Sequence, residues 1–525
     1  MANDLEEALT AAGAAALVQK QIDPVLLEYQ RRYAPLVRAL PSVKWGSTVY
    51  YFNKRSTLPS GGFVTDGGAR TVSTSNYAQE NFQIRLLQSV GAVTGYSQAV
   101  TADLIGDLRA REIEGAARGL YWDLENALIW GAEAPTVKGP YPQFDGLDVM
   151  CSSFTSGGAG PNTGIGGGTI DNYGGASTWG INGNAAFNPW TDNVDQNAID
   201  HAGNYLSLGA LDSLIDLVEQ NVAEPVENDE WMFLMSPTAN SRLSQLLINQ
   251  QRFVDRVEIA PGLIVQTYRG VPIIKSSFLS PRTNAMTVNG TATSASSGGT
   301  LLAGGYWYKV SAVVARFGEI QCNANTVTQT TTGTNSTVSV SFTPPTGPEG
   351  AAATHYKVYR YFSAGASPTA PTLNTQYGLA GMLDANYLDG SGNIYTTTGF
   401  TDNGSALVPT GSGTQASYSV PTSYAYANAT LHPLTANGEQ SMFLMSRDPN
   451  NIVRPYVREM QPINVYPTTA SPDSLPFAFV ADTTLALRAP KYIGRLANFI
   501  GALDKTAGNG ILPTTTSYTP SYIVD

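Results

Sequence analysis

The sequence has little cysteine, histidine and charge. Its 525 residues include two cysteines, three histidines and only 14% charged side chains. Cys151 and Cys322 lie in segments of different composition, so we predict no disulfide framework and a reducing compartment. His201, His355 and His432 are scattered, and none has a second ligand within the next turn of chain. We therefore predict no zinc site.

Long apolar runs are also missing. No stretch of about 20 apolar residues occurs, so a membrane-spanning helix is not predicted. The opening stretch, MANDLEEALTAAGAAALVQKQ, carries acidic residues where a secretion signal needs basic ones. It therefore predicts a helix rather than a targeting segment.

Motifs of catalysis and nucleotide binding are absent or incomplete. GIGGGT at 164–169 is followed by neither Lys-Ser/Thr nor a helix, so it does not predict a phosphate loop. DANYLDGSGNIY at 384–395 partly matches a calcium loop, but Tyr387 and Thr398 occupy the positions where acidic ligands matter most, which favours a β-turn. Neither G-x-S-x-G nor H-E-x-x-H occurs, and we predict no catalytic, cofactor-binding or metal-binding residues.

The acidic residues are concentrated in one segment. The chain has a net charge of −11, and residues 101–285 alone carry −12, from ten basic and twenty-two acidic side chains. Residues 46–100 carry +2, from four basic and two acidic side chains. This balance excludes a protein that grips nucleic acid through a basic face. The opposite charges of the two segments favour contact between copies of the chain.

A long amphipathic helix is predicted at 101–131. Its larger apolar residues recur mostly at gaps of three or four, or near multiples of them; they are Leu104, Leu108, Ile113, Leu120, Leu124 and Leu128. Thr101 is expected to cap the first turn, and the pairs Asp107–Arg111 and Glu114–Arg118 are spaced for i,i+4 contacts. At 1.5 Å per residue this helix would be roughly 45 Å long.

Residues 46–100 predict a long two-stranded hairpin. STVYYFNKRSTL and NFQIRLLQSVGAV show alternation of period two, and PSGG and DGG between them are typical turn sequences. A hairpin this long needs a second surface to lie on, because an isolated one is marginally stable in water. Aromatic residues dominate buried contacts between proteins. The predicted assembly-interface residues are Tyr50, Tyr51, Phe52, Lys54, Phe63, Arg70 and Arg85.

Residues 286–425 differ from the rest in composition. They are rich in Thr, Ser, Gly and Tyr, and carry the strand signals GGYWYKVSAVVARFGEI, STVSVSFTPP and THYKVYRYF. Short strands separated by frequent turns predict a β-sandwich. YKVSAVVARFGE and YKVYR look like immunoglobulin-like or fibronectin type III strands, in an order that indicates a permuted module.

The order of these elements resembles the major capsid protein of tailed double-stranded DNA bacteriophages. In that family a helical N-terminal arm precedes an extended loop, which leads into the spine helix of the peripheral domain. The stretch at 208–247 resembles the start of the family's axial domain, with a helix, the buried strand MFLMSP and a second helix opened by Pro237. RGVPIIKSSFLSP at 269–281 and the segment Leu485–Pro490 resemble its later strands.

The resemblance implies an α+β fold of the tailed-phage major capsid type, with an inserted all-β immunoglobulin-like sandwich. The resemblance divides the chain into an N-terminal arm at 1–45, an extended loop at 46–100 and a peripheral domain at 101–195, which contains spine helix 101–131 and Gly-rich loop 155–190. The first part of the axial domain follows at 196–285. The sandwich is inserted at 286–425, and the closing strands and tail are at 426–525.

The function that the resemblance implies is that of a structural subunit. Hexamers and pentamers of the chain would form an icosahedral capsid in the virion, enclosing double-stranded DNA without specific binding. Assembly would take place in the host bacterial cytoplasm, with scaffolding, portal and decoration proteins as further partners and no enzyme activity, cofactor or membrane. The sandwich is expected to project outward. Some family members form lysine–asparagine cross-links through the extended loop, but Lys54 lies away from the hairpin tip, which favours an interface role.

Two other functions fit parts of the sequence. A surface adhesin or S-layer-like protein would bind through the immunoglobulin-like module, but the sequence lacks the secretion and membrane signals that this class needs. A polysaccharide-cleaving enzyme would need paired carboxylates. Asp145 and Asp148 are candidates, and nothing in the sequence positions them across a cleft.

Overall fold

The structure is a computed structural model of the chain. It describes residues 34–57, 59, 61–66, 68, 73–101, 107–132, 143–151, 155–156, 198–226, 230–249, 256–260, 263–280, 286–323, 327–333, 335–346, 352–365, 367–388, 393–404, 407–411, 426–427, 433–434, 438–463, 465, 473–489 and 492–501. The predicted helix at the start of the arm, the segment GIGGGT, Arg70 and His432 lie outside these ranges.

Helices occupy a small part of the described chain. They are α1 (Pro35–Ala39), α2 (Gly95–Thr101), α3 (Leu108–Trp130), α4 (Leu147–Met150), α5 (Leu208–Val222) and α6 (Pro237–Asn249), with single 3-10 turns at Ser277–Leu279 and Asn374–Gln376.

The predicted spine helix is present as α3, but its start differs from the prediction. Asp107 caps it, because its carboxylate accepts a hydrogen bond of 3.1 Å from the backbone N–H of Ala110. Thr101 is instead the last residue of α2. Asp107 therefore acts as a cap rather than as the partner of Arg111, whereas the pair Glu114–Arg118 forms on the exposed face. The length of α3 is about 35 Å, shorter than predicted.

Two sheets form the body of the protein. The central sheet has the order β6 (Ala198–Asp200), β27 (Ile493–Ile500), β23 (Glu439–Ser446), β7 (Trp231–Met235), β10 (Val271–Lys275), β9 (Leu263–Tyr268) and β8 (Arg256–Ala260). The flanking sheet has the order β1 (Ser42–Lys44), β24 (Ile452–Ile463), β25 (Ser474–Thr483) and β4 (Arg85–Thr94), with β26 (Ala486–Leu487) beside β24. Because β7 lies between β10 and β23, the segments before and after 286–425 share one sheet.

The central sheet is covered on both faces. Every residue of β7 is buried, as the apolar run MFLM predicted. Met232 and Leu234 face one apolar cluster with the C-terminal half of α3, while Phe233 faces another with α5 and α6. This layered packing explains why the strand sequence is continuously apolar rather than alternating.

The second strand predicted for the hairpin divides in two. β2 (Val49–Thr57) pairs only with β3 (Asn76–Gln83) in the described chain, whereas β4 leaves the hairpin after Ile84 and pairs with β25 over its full length. Leu87 of β4 packs against α3 and Leu86 faces the solvent. The apolar cover that α3 provides thus determines the register of β4, since a shift by one residue would expose the buried face.

Residues 286–425 contain two sheets that pack face to face. The inner module sheet has the order β13 (Gly318–Glu319), β12 (Gly304–Val314), β16 (Ala353–Ala364) and β17 (Gly378–Asp384), with β14 (Val327–Thr331) beside β12. The outer module sheet has the order β11 (Thr287–Ala295), β15 (Thr337–Thr343), β20 (Gly399–Asp402) and β21 (Leu407–Thr410). Two small pairs are β18 (Asn386–Leu388) with β19 (Ile394–Thr396), and β5 (Thr155–Ser156) with β22 (Tyr426–Ala427).

The three strand signals predicted in this module correspond to β12, β15 and β16. The two sheets meet through aromatic contacts, with ring centroids 4.6 Å apart for Phe342 and Tyr356 and 5.7 Å apart for Tyr308 and Phe400. The segment that partly matches a calcium loop contains β18 and the first two residues of β19, which pair antiparallel, and residues 389–392 between them lie outside the described ranges.

The ends of the module lie close together. The backbone N–H of Met286 donates to the carbonyl of Gln321 at 3.0 Å. Cys322 follows Gln321, and its backbone N–H donates to the carbonyl of Leu434 at 2.9 Å. The entering and leaving chains therefore flank the same segment, as an insertion requires. Cys151 and Cys322 are both buried free thiols.

The inner module sheet is packed against the body. All eleven residues of β12 are buried, because its alternate side chains face the outer module sheet and the body. Arg316 forms a two-pronged ion pair with Asp123 of α3, at 2.7 and 3.0 Å. Gly318 has a φ of +74°, and a side chain there would collide with Trp130. The module is therefore built into the body on one side.

Glu125 of α3 is a buried acid at the junction with the arm. Its carboxylate accepts hydrogen bonds from the backbone N–H groups of Leu36 and Val37, at 3.2 and 2.9 Å, and from the hydroxyl of Ser276 at 3.1 Å. Burial raises the pKa of Glu125 to about 7, because desolvation of the carboxylate outweighs these three bonds.

We expect Glu125 to make the free energy of unfolding dependent on pH. Between pH 4.5 and 7 the folded chain retains a proton that the unfolded chain has lost, so the contribution is full below pH 4.5 and is lost as the pH rises to 7. The shift corresponds to about 3 kcal/mol. Chemical denaturation measures the free energy of unfolding of the wild type and of Glu125→Gln. The wild-type value minus the variant value should fall by this amount as the pH rises from 4.5 to 7.

His355, whose pKa burial lowers to about 3, acts in the opposite direction below pH 6.5. It is present in both proteins, so its contribution cancels in the comparison. A difference between the wild type and Glu125→Gln that does not change with pH would contradict the assignment.

Candidate assembly surface

A column of aromatic side chains anchors the base of the β2–β3 hairpin. Ring centroids are 4.8 Å apart for Trp45 and Tyr50, 6.3 Å for Tyr50 and Phe52, and 5.9 Å for Phe52 and Phe82. Tyr50 and Phe82 are buried. The period-two alternation of the sequence produces this column, because it places Tyr50 and Phe52 on one face of β2.

The column is attached to the body through Arg488, which follows β26. Its guanidinium lies 5.4 Å from the ring centroid of Tyr50 and donates a hydrogen bond to the tyrosine hydroxyl. The indole N–H of Trp45 donates to the carbonyl of Val49 at 2.8 Å. The side chain of Tyr50, which the sequence assigned to an assembly interface, is thus covered within its own chain.

Beyond the column the hairpin exposes its apolar side chains. Tyr51 is 46% exposed, Tyr77 is 68% exposed and Phe63 near the tip is fully exposed. Arg55 lies over the ring of Tyr77 at 5.4 Å, which gives this face a cation as well as aromatic surface. No third strand within the described ranges pairs with β2 or β3. The polar pair Asn53 and Gln79 separates Tyr51 from Tyr77 on this face. Exposed aromatic side chains and arginine are enriched at protein–protein contacts.

The flanking sheet adds a second exposed surface next to the hairpin. Its edge strand β4 presents Leu86 and Val90 to the solvent, with 58% and 64% of their surfaces accessible. In the part of the chain that the structure describes, the other edge of β4 has no strand beside it. An edge strand of ten residues with apolar side chains is a template for pairing with another chain unless it is covered.

A cleft separates the hairpin base from the body. It has a volume of about 480 Å³ and is lined by Trp45, Tyr51, Phe52, Asn53, Asn450 and Arg488. Its aromatic walls and single cation suit a side chain or backbone segment of a neighbouring protein.

The predicted interface residues are distributed over different environments. Tyr51 and Phe63 are exposed, Phe52 is half-buried in the column, and Arg85 is half-buried at the start of β4. The side chain of Lys54 lies outside the described part of the structure, as does Arg70. Sequence reasoning missed a second group of exposed residues, whose available signal was the period-two alternation of their strands; they are Tyr77, Leu86 and Val90.

The carboxylates considered for an enzyme lie in the interior. Asp145 and Asp148 are buried, and Asp148 is paired with Lys357 and Arg495. Among the described residues, no group of three or more His, Cys, Asp or Glu side chains is arranged to hold a metal ion. None of the described helices has the length and apolar character that crossing a lipid bilayer requires.

No protein-family model matches the chain, and no curated protein matches it. Three solved structures similar to the chain are an encapsulin complex and two capsids. The holo-SrpI encapsulin complex of Synechococcus elongatus has a TM-score of 0.41 and 11% identity, over 94% of this chain and 98% of that one. The capsid of a native GTA particle has a TM-score of 0.41 and 10% identity, over 94% of this chain and 100% of that one. The capsid of cyanophage P-SCSP1u has a TM-score of 0.40 and 11% identity, over 93% and 95%.

These neighbours are two capsids and an encapsulin complex. Because the TM-scores and identities are low, the function proposed below depends on the geometry of this chain.

We expect the base and the distal part of the hairpin to respond differently to substitution. Tyr50→Ala should lower the free energy of unfolding by about 3–5 kcal/mol, because it leaves a cavity in a buried column. Tyr51→Ala, its exposed neighbour, should change it by about 0.5 kcal/mol or less. Chemical denaturation of unassembled subunits at one protein concentration measures both values. Equal losses for the two variants would contradict the described division of the hairpin.

Proposed function

We propose that this chain is the structural subunit of an icosahedral shell, the major capsid protein of a tailed bacteriophage. The observation that carries the proposal is the exposed aromatic surface of the β2–β3 hairpin beyond its anchored base. β2 is about 30 Å long, and its part beyond Phe52, about 17 Å, is ribbon that the described chain leaves uncovered. Such a ribbon gains its missing contacts only when a second copy lies beneath it.

The charge distribution supports a neighbouring copy as the occupant. Residues 46–100 carry a net +2 and residues 101–285 carry −12. The N-terminal half of α3 exposes Glu112 and Glu114 together with Arg111 and Arg118, so its own charges are balanced. The acidic excess belongs to residues 101–285 as a whole, and a hairpin laid over that segment of the next subunit brings opposite net charges together, which favours docking.

Repeating this contact around an axis closes a ring, since each subunit offers both the hairpin and the surface that receives it. Under this proposal the rings are the hexamers and pentamers of the shell, with the division into arm, extended loop, peripheral domain, axial domain and inserted sandwich given by the sequence. The acidic segment contributes a wall that encloses double-stranded DNA without binding it specifically. Scaffolding, portal and decoration proteins are the further partners, the virion is the location, and assembly takes place in the host bacterial cytoplasm.

The immunoglobulin-like character of the inserted module and its role remain part of this proposal. The inner module sheet shares an apolar cluster with the body, in which Trp307 and Tyr359 meet Ala497. A module built into the body in this way suits reinforcement of the subunit better than the independent binding part that an adhesin needs.

We expect the purified chain, alone or with its scaffold, to form closed particles or capsomers in electron microscopy. The double variant Tyr51→Thr/Tyr77→Thr should reduce the association constant at least about tenfold, because exposed aromatic anchors contribute about 2 kcal/mol or more to an interface. Sedimentation velocity measures the fraction in assemblies. Threonine retains the strand propensity, so the hairpin itself should form.

The matched control is Ile394→Thr, which removes an exposed apolar residue from the β18–β19 hairpin of the module. It should assemble as the wild type does. A wild-type chain that stays monomeric at high concentration, with and without scaffold, would overturn the proposal. So would a double variant that assembles as well as the control.

A further inference from the structure

A lysine and two carboxylates meet in the interior where the module joins the body. The Nζ atom of Lys357 lies 2.6 Å from Oδ2 of Asp148 and 2.7 Å from Oε2 of Glu319. The exposed fractions of the three side chains are 1%, 1% and 4%. Lys357 is on β16 and Glu319 on β13, both in the module, whereas Asp148 is on α4 of the body.

Each of these groups is held in place by further contacts. The second carboxylate oxygen of Glu319 accepts hydrogen bonds from the hydroxyls of Ser311 and Tyr359, at 2.5 and 2.9 Å. Arg495 donates to Oδ1 of Asp148 and to its backbone carbonyl, both at 3.0 Å. The Asp148 carboxyl group therefore presents one oxygen to a fixed guanidinium and the other to the lysine amine.

The surroundings of the amine leave room for very little water. The ring centroid of Trp130 lies 5.1 Å from Nζ of Lys357. The adjacent cavity has a volume of only about 20 Å³ and is lined by Trp130, Glu319, Tyr359 and Arg495 among others. A space of this size holds one water molecule.

We propose that Lys357 and Asp148 condense into an intramolecular isopeptide bond, with Glu319 as the proton-transfer group, and that this bond covalently joins the module to α4. The inference is independent of the proposed shell function.

The reaction balances without a co-reactant. Glu319 takes a proton from the lysine ammonium, and the free amine attacks the Cγ atom of Asp148 to form the Nζ–Cγ bond. The Cγ–Oδ2 bond then breaks, and Oδ2 leaves as water. Its two protons came from the lysine ammonium, and Glu319 transferred them from the nitrogen to Oδ2. The amide nitrogen retains the third proton, so ammonium and carboxylate become one amide and one water molecule. Glu319 has the same protonation state at the end of the reaction as at the start.

Three features of the site favour this reaction over a permanent ion pair. Proximity fixed by the fold replaces a bimolecular encounter. Arg495 is positioned to stabilise the negative charge that develops on Oδ1 when the amine adds. The condensation also removes two charges from an environment in which unsolvated charge is unfavourable, and it leaves Arg495 and Glu319 as a balanced pair.

Burial by itself would raise the pKa of Asp148, but the charges of Lys357 and Arg495 lower it. The Asp148 group consequently starts as a carboxylate. An ammonium is not a nucleophile, so a proton must leave the lysine before the amine attacks. Glu319 is the carboxylate in contact with the amine that is not itself attacked, and it accepts this proton.

The experiment is the intact mass of the full wild-type chain, denatured before mass spectrometry. We expect a mass about 18 Da below that calculated from the sequence, which is the loss of one water molecule. Tryptic digestion should yield one linked species that contains the peptides of Asp148 and Lys357, with no cleavage after Lys357. A full mass with two separate peptides would overturn the proposal, and this result does not depend on the folding of any variant.

Two variants test the assignment of the groups. Lys357→Met should restore the full mass calculated for that variant, whereas the matched control Lys309→Met, which removes another nearly buried lysine of the inner module sheet, should keep the deficit. Glu319→Gln should leave most of the chain unlinked. A Glu319→Gln chain as completely linked as the wild type would overturn the role given to Glu319.

Discussion

Four charged side chains with almost no access to water hold the module and the body together. Lys357 and Glu319 come from the module, whereas Asp148 and Arg495 come from the body. Loss of one partner from such a group leaves a buried unpaired charge, which costs about 3–5 kcal/mol. The elements that carry these residues therefore cannot shift independently. In the ion-paired state these contacts fix the position of β16 against α4 and β27, in addition to apolar packing, and the proposed bond between Lys357 and Asp148 would make that position permanent.

This junction explains which surfaces of the chain stay open. The side chains of β12 and β16 that face the body are used at the junction, and those on the other face form the core of the module. The central sheet is likewise covered on both faces. The exposed apolar surface of the chain consequently includes the β2–β3 hairpin and β4, which lie between Val49 and Thr94 in the sequence. Folding and the association that we propose thus use different surfaces.

Within the hairpin, strand β2 has one side chain that stabilises the subunit next to one that stays exposed. Tyr50 turns inward to Trp45 and Arg488 and stabilises the subunit, while the adjacent Tyr51 turns outward. A two-stranded ribbon without cover is marginal in water, so its distal part depends on what binds it. The buried base orients the ribbon before any partner arrives, which reduces the entropy that association must overcome.

Local patterns along the chain were enough to predict the elements whose periodicity is strong. These include α3, the continuously buried strand β7, the helix α5 and the alternation of Tyr50 with Tyr51. These patterns did not determine the partner of β4, the start of α3 or the meeting of Lys357 with Asp148, because a local pattern reports that a face is buried but not what covers it. A lysine and an aspartate in separate parts of the chain carry no mutual signal. Only the tertiary structure, which packs the module's inner sheet against α4, brings them into contact.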